Sequence, residues 1–290
     1  MEAHTPVLLT EVLQFLDPQS GGKFIDATLG AGGHTRAILD RTAPEGRVLA
    51  FDQDELAIEL ARASLQSFGS RLETAKSNFR NIAAIAEERG FAGADGVLAD
   101  IGVSSMMLDD AARGFSFMRE GPLDMRMDRE QKLTAAGVVN TYREKEIADI
   151  LFNFGEERRS RPIARAIVHA RPLHTTFDLA HAVQRVTGAP RYGKIHPATR
   201  TFQALRIYVN DELAALESFI DSSMGLLRPG GRLVILTFHS LEDRIVKNKF
   251  RSSSVTAGKA LTRKVVTASD EELRRNPRAR SAKLRAWEKA

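Results

Sequence analysis

The sequence predicts an α/β protein: a doubly wound, mostly parallel sheet interrupted by an all-helical insert. Three observations carry that expectation. Short apolar runs alternate with helical periodicities through the first hundred residues, the strand signal then disappears between residues 104 and 198, and one more apolar run at 232–237 restores it.

The elements follow in order. Residues 23–27 (KFIDA) read as a buried strand, followed by a glycine-rich turn and a helix over 34–40. Residues 47–51 (RVLAF) form the next strand and deliver Asp52 at its end; 54–68 carry Leu56, Ile58, Leu60 and Leu65 at helical spacing. A weaker strand over 72–75, a helix over 83–88 and a strand over 96–99 ending in Asp100 complete the first half. Strands this apolar need helices on both faces, which is the arrangement of a parallel sheet. The segment 104–198 offers amphipathic helical patterns, for example at 147–154 and 163–170. One long helix is expected over 199–227, stopped by Arg228-Pro-Gly-Gly231, with strands at 232–237, 261–266 and 282–286. The expected division is therefore 1–104 with 199–290 as one discontinuous domain and 105–198 as the insert.

Composition narrows the chemistry. The 290 residues contain no cysteine, which removes disulfides, thiolate zinc sites, iron–sulfur clusters and thiol nucleophiles. None of the seven histidines is paired at i,i+4, and no metal site is expected. Glu2 and Glu11 stand where a secretory leader would be basic, and no apolar stretch reaches the roughly 20 residues of a membrane span, so a cytoplasmic protein is expected. Charge is unevenly spread. From Arg244 onward there are 14 Lys+Arg and 4 Asp+Glu, a net of +10 against +5 for the whole chain, so residues 1–243 carry −5. The basic stretch suits repeated phosphate contacts; a solvated, partly disordered tail is the alternative.

The most informative segment is DATLGAGGH, Asp26 to His34, because it follows a strand and opens a helix. Glycines at 30, 32 and 33 permit a tight turn and close approach of backbone to a ligand. Asp52, 22 residues after Gly30, is placed to accept hydrogen bonds from the ribose hydroxyls of an adenosine cofactor. A dinucleotide fingerprint wants a third glycine where this chain has Thr35, and no Tyr-x-x-x-Lys pair occurs, which disfavours a nicotinamide oxidoreductase. S-adenosylmethionine has no pyrophosphate, and Asp26 suits its cationic amino-acid end. Phe79, just after the third strand, is either core or a surface for adenine.

Asp100 opens DIGVSS at the end of the fourth strand, so Asp26, Asp52 and Asp100 are expected to converge on one crevice. Phe115 and Phe117 either stack on an unpaired base or anchor a loop. Arg158, Arg159, Arg161, Arg165 and Arg171 form either a phosphate-binding face or a solvated one, and His196, Arg200 and Gln203 are candidates for the border of the crevice. His239 beside Ser240 invites a hydrolase reading, but no Gly-x-Ser-x-Gly is present.

Taken together, DATLGAGGH, DIGVSS, RGFSFMREGPLDMRMD, GEERRSRPIARAI, HPATRTFQALRI, FHSLEDRIVK and NPRARSAKLR resemble the motifs of the RsmH/MraW family of ribosomal RNA methyltransferases, from one end of the chain to the other. The resemblance implies a class I, Rossmann-like methyltransferase sheet and S-adenosylmethionine as cofactor. It also implies methylation of the exocyclic N4 amine of a cytidine in the decoding centre of 16S ribosomal RNA, within the small ribosomal subunit. Family cofactor contacts carry over to Gly32, Gly33, His34, Asp52, Phe79 and Asp100, with Asp100 also the catalytic candidate. Relatives usually have Gln where this chain has Met107, which cannot donate or accept comparably. The insert is expected to recognise the substrate.

Overall fold

The computed structural model describes residues 6–189, 196–255 and 257–290; Glu2 lies outside them. Seven strands form one sheet in the order β3-β2-β1-β4-β5-β7-β6. They are β1 (Lys23–Asp26), β2 (Arg47–Asp52), β3 (Leu72–Lys76), β4 (Ala94–Asp100), β5 (Leu227–Thr237), β6 (Gly258–Ala260) and β7 (Lys283–Lys289). The first five are parallel and β7 runs antiparallel between β5 and β6. This is the predicted doubly wound, Rossmann-like sheet.

Alternate residues of each strand serve opposite faces. Ile25, Leu49, Phe51, Val97, Ala99, Leu233, Ile235 and Trp287 belong to one core. Their neighbours Phe24, Val48, Ala50, Leu98, Val234, Leu236 and Ala286 belong to the other. Both faces are apolar because both are covered by helices, which is why these strands read as uninterrupted apolar runs. The helices of this unit are α1 (Leu9–Leu16), α2 (Gly33–Arg41), α3 (Glu55–Ser64) and α4 (Ile82–Glu88), with three more after the insert.

The chain divides into two compact units, one running up to Gly102 and resuming over Leu213–Ala290, the other spanning Val103–Glu212. The second unit holds the short helix α5 (Ser105–Asp109), then α6 (Ala135–Thr141), α7 (Glu144–Gly155), α8 (Ser160–His169), α9 (Thr176–Thr187) and α10 (Thr199–Asn210). These helices share a core of their own, including Val139, Leu151, Ile163, Leu179 and Leu205. Its C-terminal boundary lies later than the expected 198. The expected helix over 199–227 is broken at Asp211, which is left-handed at φ 50°, into α10 and α11 (Glu212–Leu226). Buried Asn210 fixes α10 to the insert by accepting from Met127 N and donating to Met125 O, each at 2.8 Å. At Gly155 a β-carbon would lie 2.6 Å from the carbonyl oxygen of Arg200, so only glycine lets α7 and α10 approach this closely.

The basic C-terminal stretch is folded. It supplies α12 (Ser240–Ser253), β6, α13 (Asp270–Arg275) and β7. The strand expected at 261–266 is instead β6 at 258–260, with only an isolated bridge from Val266 to Leu284. Several of its cations are spent on internal partners: Arg285 and Lys283 on Asp243, Lys259 on Glu288, Lys289 on the carbonyls of Gly225 and Leu227. Among the described residues, no helix is long and apolar enough to cross a membrane.

Trp287 is fully buried at the centre of this late-sequence strand. Trp287→Ala is expected to lower the unfolding free energy by about 3–5 kcal/mol, read as a lower urea midpoint.

Candidate functional site

The site is built at the carboxyl ends of β1, β2 and β4. Asp26 ends β1 and is 1% exposed. Its Oδ2 accepts from Thr35 Oγ1 at 2.6 Å and its Oδ1 from Thr28 N at 3.1 Å. Burial pushes the carboxyl above its ordinary range, opposed by those bonds. Asp26 was expected to face a cationic ligand. The structure instead places it beneath the glycine turn, where it organises the loop. Thr35, which breaks the dinucleotide pattern, is one of the two anchors that hold it there, a role invisible in sequence because it exists only once β1 and α2 are packed. Thr28 has a second role: its Oγ1 accepts from Asp100 N at 2.6 Å, joining the β1 and β4 ends.

Above Asp26 the turn is constrained on both sides. Gly32 is left-handed (φ 80°), and a β-carbon there would sit 2.8 Å from Leu65; one on Gly33 would sit 2.4 Å from the Pro6 ring. The sequence pattern gave no sign of Pro6 or Val7, yet this strap closes over the loop. Val7 O accepts from His34 Nε2 at 3.0 Å. Leu8 N donates to Glu272 Oε1 at 2.7 Å, tying the strap to α13.

Asp52 ends β2. Its Oδ2 accepts from Gly30 N and its Oδ1 from Asp54 N, both at 2.9 Å. Burial raises its pKa to about 6, against the lowering effect of those bonds. The Gln53 backbone bonds the same carboxylate, and with three backbone donors on its two oxygens it keeps room for a further one. Phe79, half-buried after β3, meets Phe219 edge-on at 5.2 Å between centroids; Asn78 beside it donates to Gln53 Oε1 at 3.0 Å, linking the β3 and β2 ends. Asp100 ends β4. Its pKa is also raised to about 6, first by burial, then by the negative charges of Asp26 and Glu242, with His34 acting in the opposite direction. Its Oδ1 is buried with no hydrogen-bond partner among the described residues. A buried carboxylate oxygen without a donor is rare and sets Asp100 apart from Asp26 and Asp52.

The remaining candidates resolve differently. Met107 is a core residue of the insert, 5% exposed. Phe115 is buried in the same core, and Phe117 stacks on His196 at 4.3 Å and meets Phe202 edge-on, so both anchor the loop that carries them. Arg171 is spent on the carbonyls of Val139 and Tyr142, Arg159 on Val186 O, and Arg165 pairs with Glu144 at 3.5 Å, while Arg158 and Arg161 are exposed. Arg200 and Gln203 donate to the carbonyls of Glu156 and Phe154, within the insert. His239 caps α12: its Nδ1 accepts from Glu242 N and its Nε2 lies 3.0 Å from Glu242 Oε1, which gives it a structural role in place of a hydrolytic one.

Comparison with known proteins decides the family. The profile described as the MraW methylase family matches residues 1–290. The chain belongs to that family. Similar proteins include one from Acidobacterium capsulatum, 50% identical over 99% of both chains, and one from Nostoc sp., 51% identical over 99% of this chain and 93% of the other. A protein from Thermomicrobium roseum is 48% identical over 99% of this chain and 93% of its own. All three are named ribosomal RNA small subunit methyltransferase H. For a methylase of this family the crevice fits S-adenosylmethionine. Gly30, Gly32 and Gly33 leave the turn without side chains, Asp52 has lone pairs for ribose hydroxyls, Phe79 offers a ring for adenine, and Asp100 Oδ1 awaits a donor.

Three outcomes are expected. Asp52 must be ionised to accept ribose hydroxyls. Below pH 6 the dissociation constant for S-adenosylmethionine should therefore rise, by about tenfold per pH unit when one carboxylate must lose its proton; calorimetry between pH 5 and 8 measures it, and Asp52→Ala should cost about 1–3 kcal/mol of binding at pH 7.5. Thr35→Val leaves one oxygen of buried Asp26 without its donor and should cost about 1–3 kcal/mol of folding stability, measured by chemical denaturation.

Proposed function

We propose that this protein transfers a methyl group from S-adenosylmethionine to the exocyclic N4 amine of a cytidine in the decoding centre of 16S ribosomal RNA, giving N4-methylcytidine. The observation that carries the reading is Asp100: a carboxylate at the end of β4, level with the ends of the cofactor-binding strands, with one oxygen buried and unpartnered. The relatives' names support ribosomal RNA of the small subunit as the substrate.

The cofactor supplies an electrophilic methyl group on a sulfonium centre. The chain's own residues do the rest. Asp52 and the glycine turn hold the adenosine and amino-acid parts in one orientation. The cytosine amine is a poor nucleophile because its lone pair is delocalised into the ring, so it must be aligned with the methyl carbon. Asp100 Oδ1 accepts one N–H, which orients the amine and draws electron density toward nitrogen. As the N–CH3 bond forms, that carboxylate is placed to take the proton the nitrogen must lose. With no cysteine in the chain, no covalent thiol adduct with the base is available, and transfer to an exocyclic amine needs none.

The insert, residues 103–212, is proposed to recognise the RNA, with exposed Arg158 and Arg161 as phosphate contacts. The basic C-terminal stretch is proposed to add others through Arg263, Lys264, Arg274 and Arg280, all exposed. Deleting that stretch would remove β7 from the sheet, so the charges are better tested one side chain at a time.

Purified protein with cofactor and small ribosomal subunits should yield N4-methylcytidine by nucleoside mass spectrometry; its absence refutes the reading. Asp100→Ala should lower turnover by at least about 100-fold at saturating cofactor. Replacing Arg263, Lys264, Arg274 and Arg280 by Ala should make the slope of log affinity against log salt shallower, by about 0.7–0.9 for each phosphate that no longer meets a cation.

A further inference from the structure

We propose that Arg62 and Arg89, brought together by Thr74 on the free edge of the sheet, form a site for a phosphate group of the RNA backbone, outside the crevice where the methyl group is transferred. The inference rests on the reading of ribosomal RNA as the substrate.

β3 is the end strand of the sheet and pairs with β2 on one side. Its Thr74 is 8% exposed and is approached from both faces. From α3, whose Ile58 and Ala61 pack in one core, Arg62 Nε donates to Thr74 Oγ1 at 2.6 Å. From the C-terminal cap of α4, whose Ile82 and Ala86 pack in the other, Arg89 Nη1 donates to Thr74 O at 3.0 Å. Two guanidinium groups carried on opposite faces of the sheet therefore meet at one residue. Each spends one N–H on Thr74 and keeps the others of its fork, and among the described residues neither is paired with a carboxylate. The cavity they border has a volume of about 380 Å³ and is also lined by Gln66, Gly69 and Glu73. Glu73, the acid of that lining, is already taken by Arg47.

Closing a strand edge calls for a donor at an outward carbonyl, and Arg89 supplies it. It does not call for a second cation beside the first. Two like charges held close repel, and these two stand in a stretch, residues 1–243, whose net charge is −5. A guanidinium fork on each side of a cavity fits an anion with oxygens pointing several ways, which is the chemistry of a phosphate group. Position decides which phosphate. β3 stands three strands from β4, about 14 Å at ordinary strand spacing, so the anion belongs neither to the cofactor, which has no phosphate, nor to the nucleotide at Asp100. A phosphate further along the RNA chain fits both the place and the donors. Such a contact adds affinity and register without touching the reacting atoms.

The test compares the unsubstituted protein with two double variants: Arg62→Gln/Arg89→Gln, which loses both charges, and Arg62→Lys/Arg89→Lys, which keeps them. With small ribosomal subunits as substrate, KM should rise by about tenfold in the Gln variant and by less in the Lys variant. The kcat at saturating subunits and the dissociation constant for S-adenosylmethionine should stay within about twofold. The slope of log affinity for 16S ribosomal RNA against log salt should become shallower by about 0.7–0.9 in the Gln variant and hold in the Lys variant. Inorganic phosphate gives a second arm, independent of any variant's folding: titrated into the unsubstituted protein, it should shift the Nε–H resonance of Arg62 to saturation, the resonance being assigned by its loss in Arg62→Gln. An arginine resonance that phosphate does not shift overturns the proposal, and so do a KM and a salt slope unmoved in the Gln variant. If phosphate saturates the arginine while KM stays put, the site takes a free phosphate compound instead of RNA; if only the denaturation midpoint falls, the arginines merely close the strand edge. Failure of the methylation reading registers separately, as the absence of methylated nucleoside from the unsubstituted protein, where the phosphate titration and the RNA affinity still read out.

Discussion

A carboxylate with almost no contact with water sits under the glycine turn, and the site depends on it. Buried Asp26 is tolerable only because Thr35 and Thr28 bond both its oxygens. Those bonds fix the entry of α2 relative to β1. Thr28 then passes the constraint on through its hydroxyl to the backbone of Asp100. The turn, the helix start and the β4 end are therefore set by a single network of short hydrogen bonds. The left-handed glycine and the close approach of Pro6 and Leu65 are consequences of threading the chain around it.

The two other strand-end carboxylates are handled differently. Asp52 is satisfied by backbone groups of the glycine turn, at Gly30, and of its own loop, at Gln53 and Asp54, and keeps room for a further donor. Asp100 keeps one oxygen with no donor among the described residues. Three aspartates at equivalent strand ends thus have three different sets of partners. The sequence pattern treats them alike; only their partners distinguish them.

β1, β2, β4 and β5 were legible because each is apolar on both faces and ends in a polar residue, so neither their position nor their parallel sense needed tertiary information. The turn between β1 and α2 was legible because a strand pattern, a run of glycines and a helical pattern follow one another directly in the sequence. What escaped were features defined by contacts across the sequence. The break at Asp211 leaves no mark on a helical periodicity that continues on both sides of it. Phe115 and Met107 belong to the insert's own core, and an apolar residue near a motif looks the same whether it packs or binds. The short strand at 258–260 pairs with β7, 25 or more residues later, and has only three residues of pattern to show for it. The basic stretch could not be divided between internal ion pairs and outward charge without knowing that Asp243 and Glu288 lay beside it.

The insert also bears on how the chain reaches its fold. β4 and β5 are neighbours in the sheet, yet Val103–Glu212 and α11 separate them in sequence. Closing so long a loop while it is still flexible is slow, because its conformational entropy must be lost before the strand pairing is gained. A helical insert with a core of its own can collapse first through local contacts, turning a flexible loop into a compact body with short connections. The central pairing of the enzyme's sheet then becomes kinetically dependent on a unit that contributes no strand to it. Destabilising that unit should slow assembly of the sheet while leaving the sheet's own contacts intact.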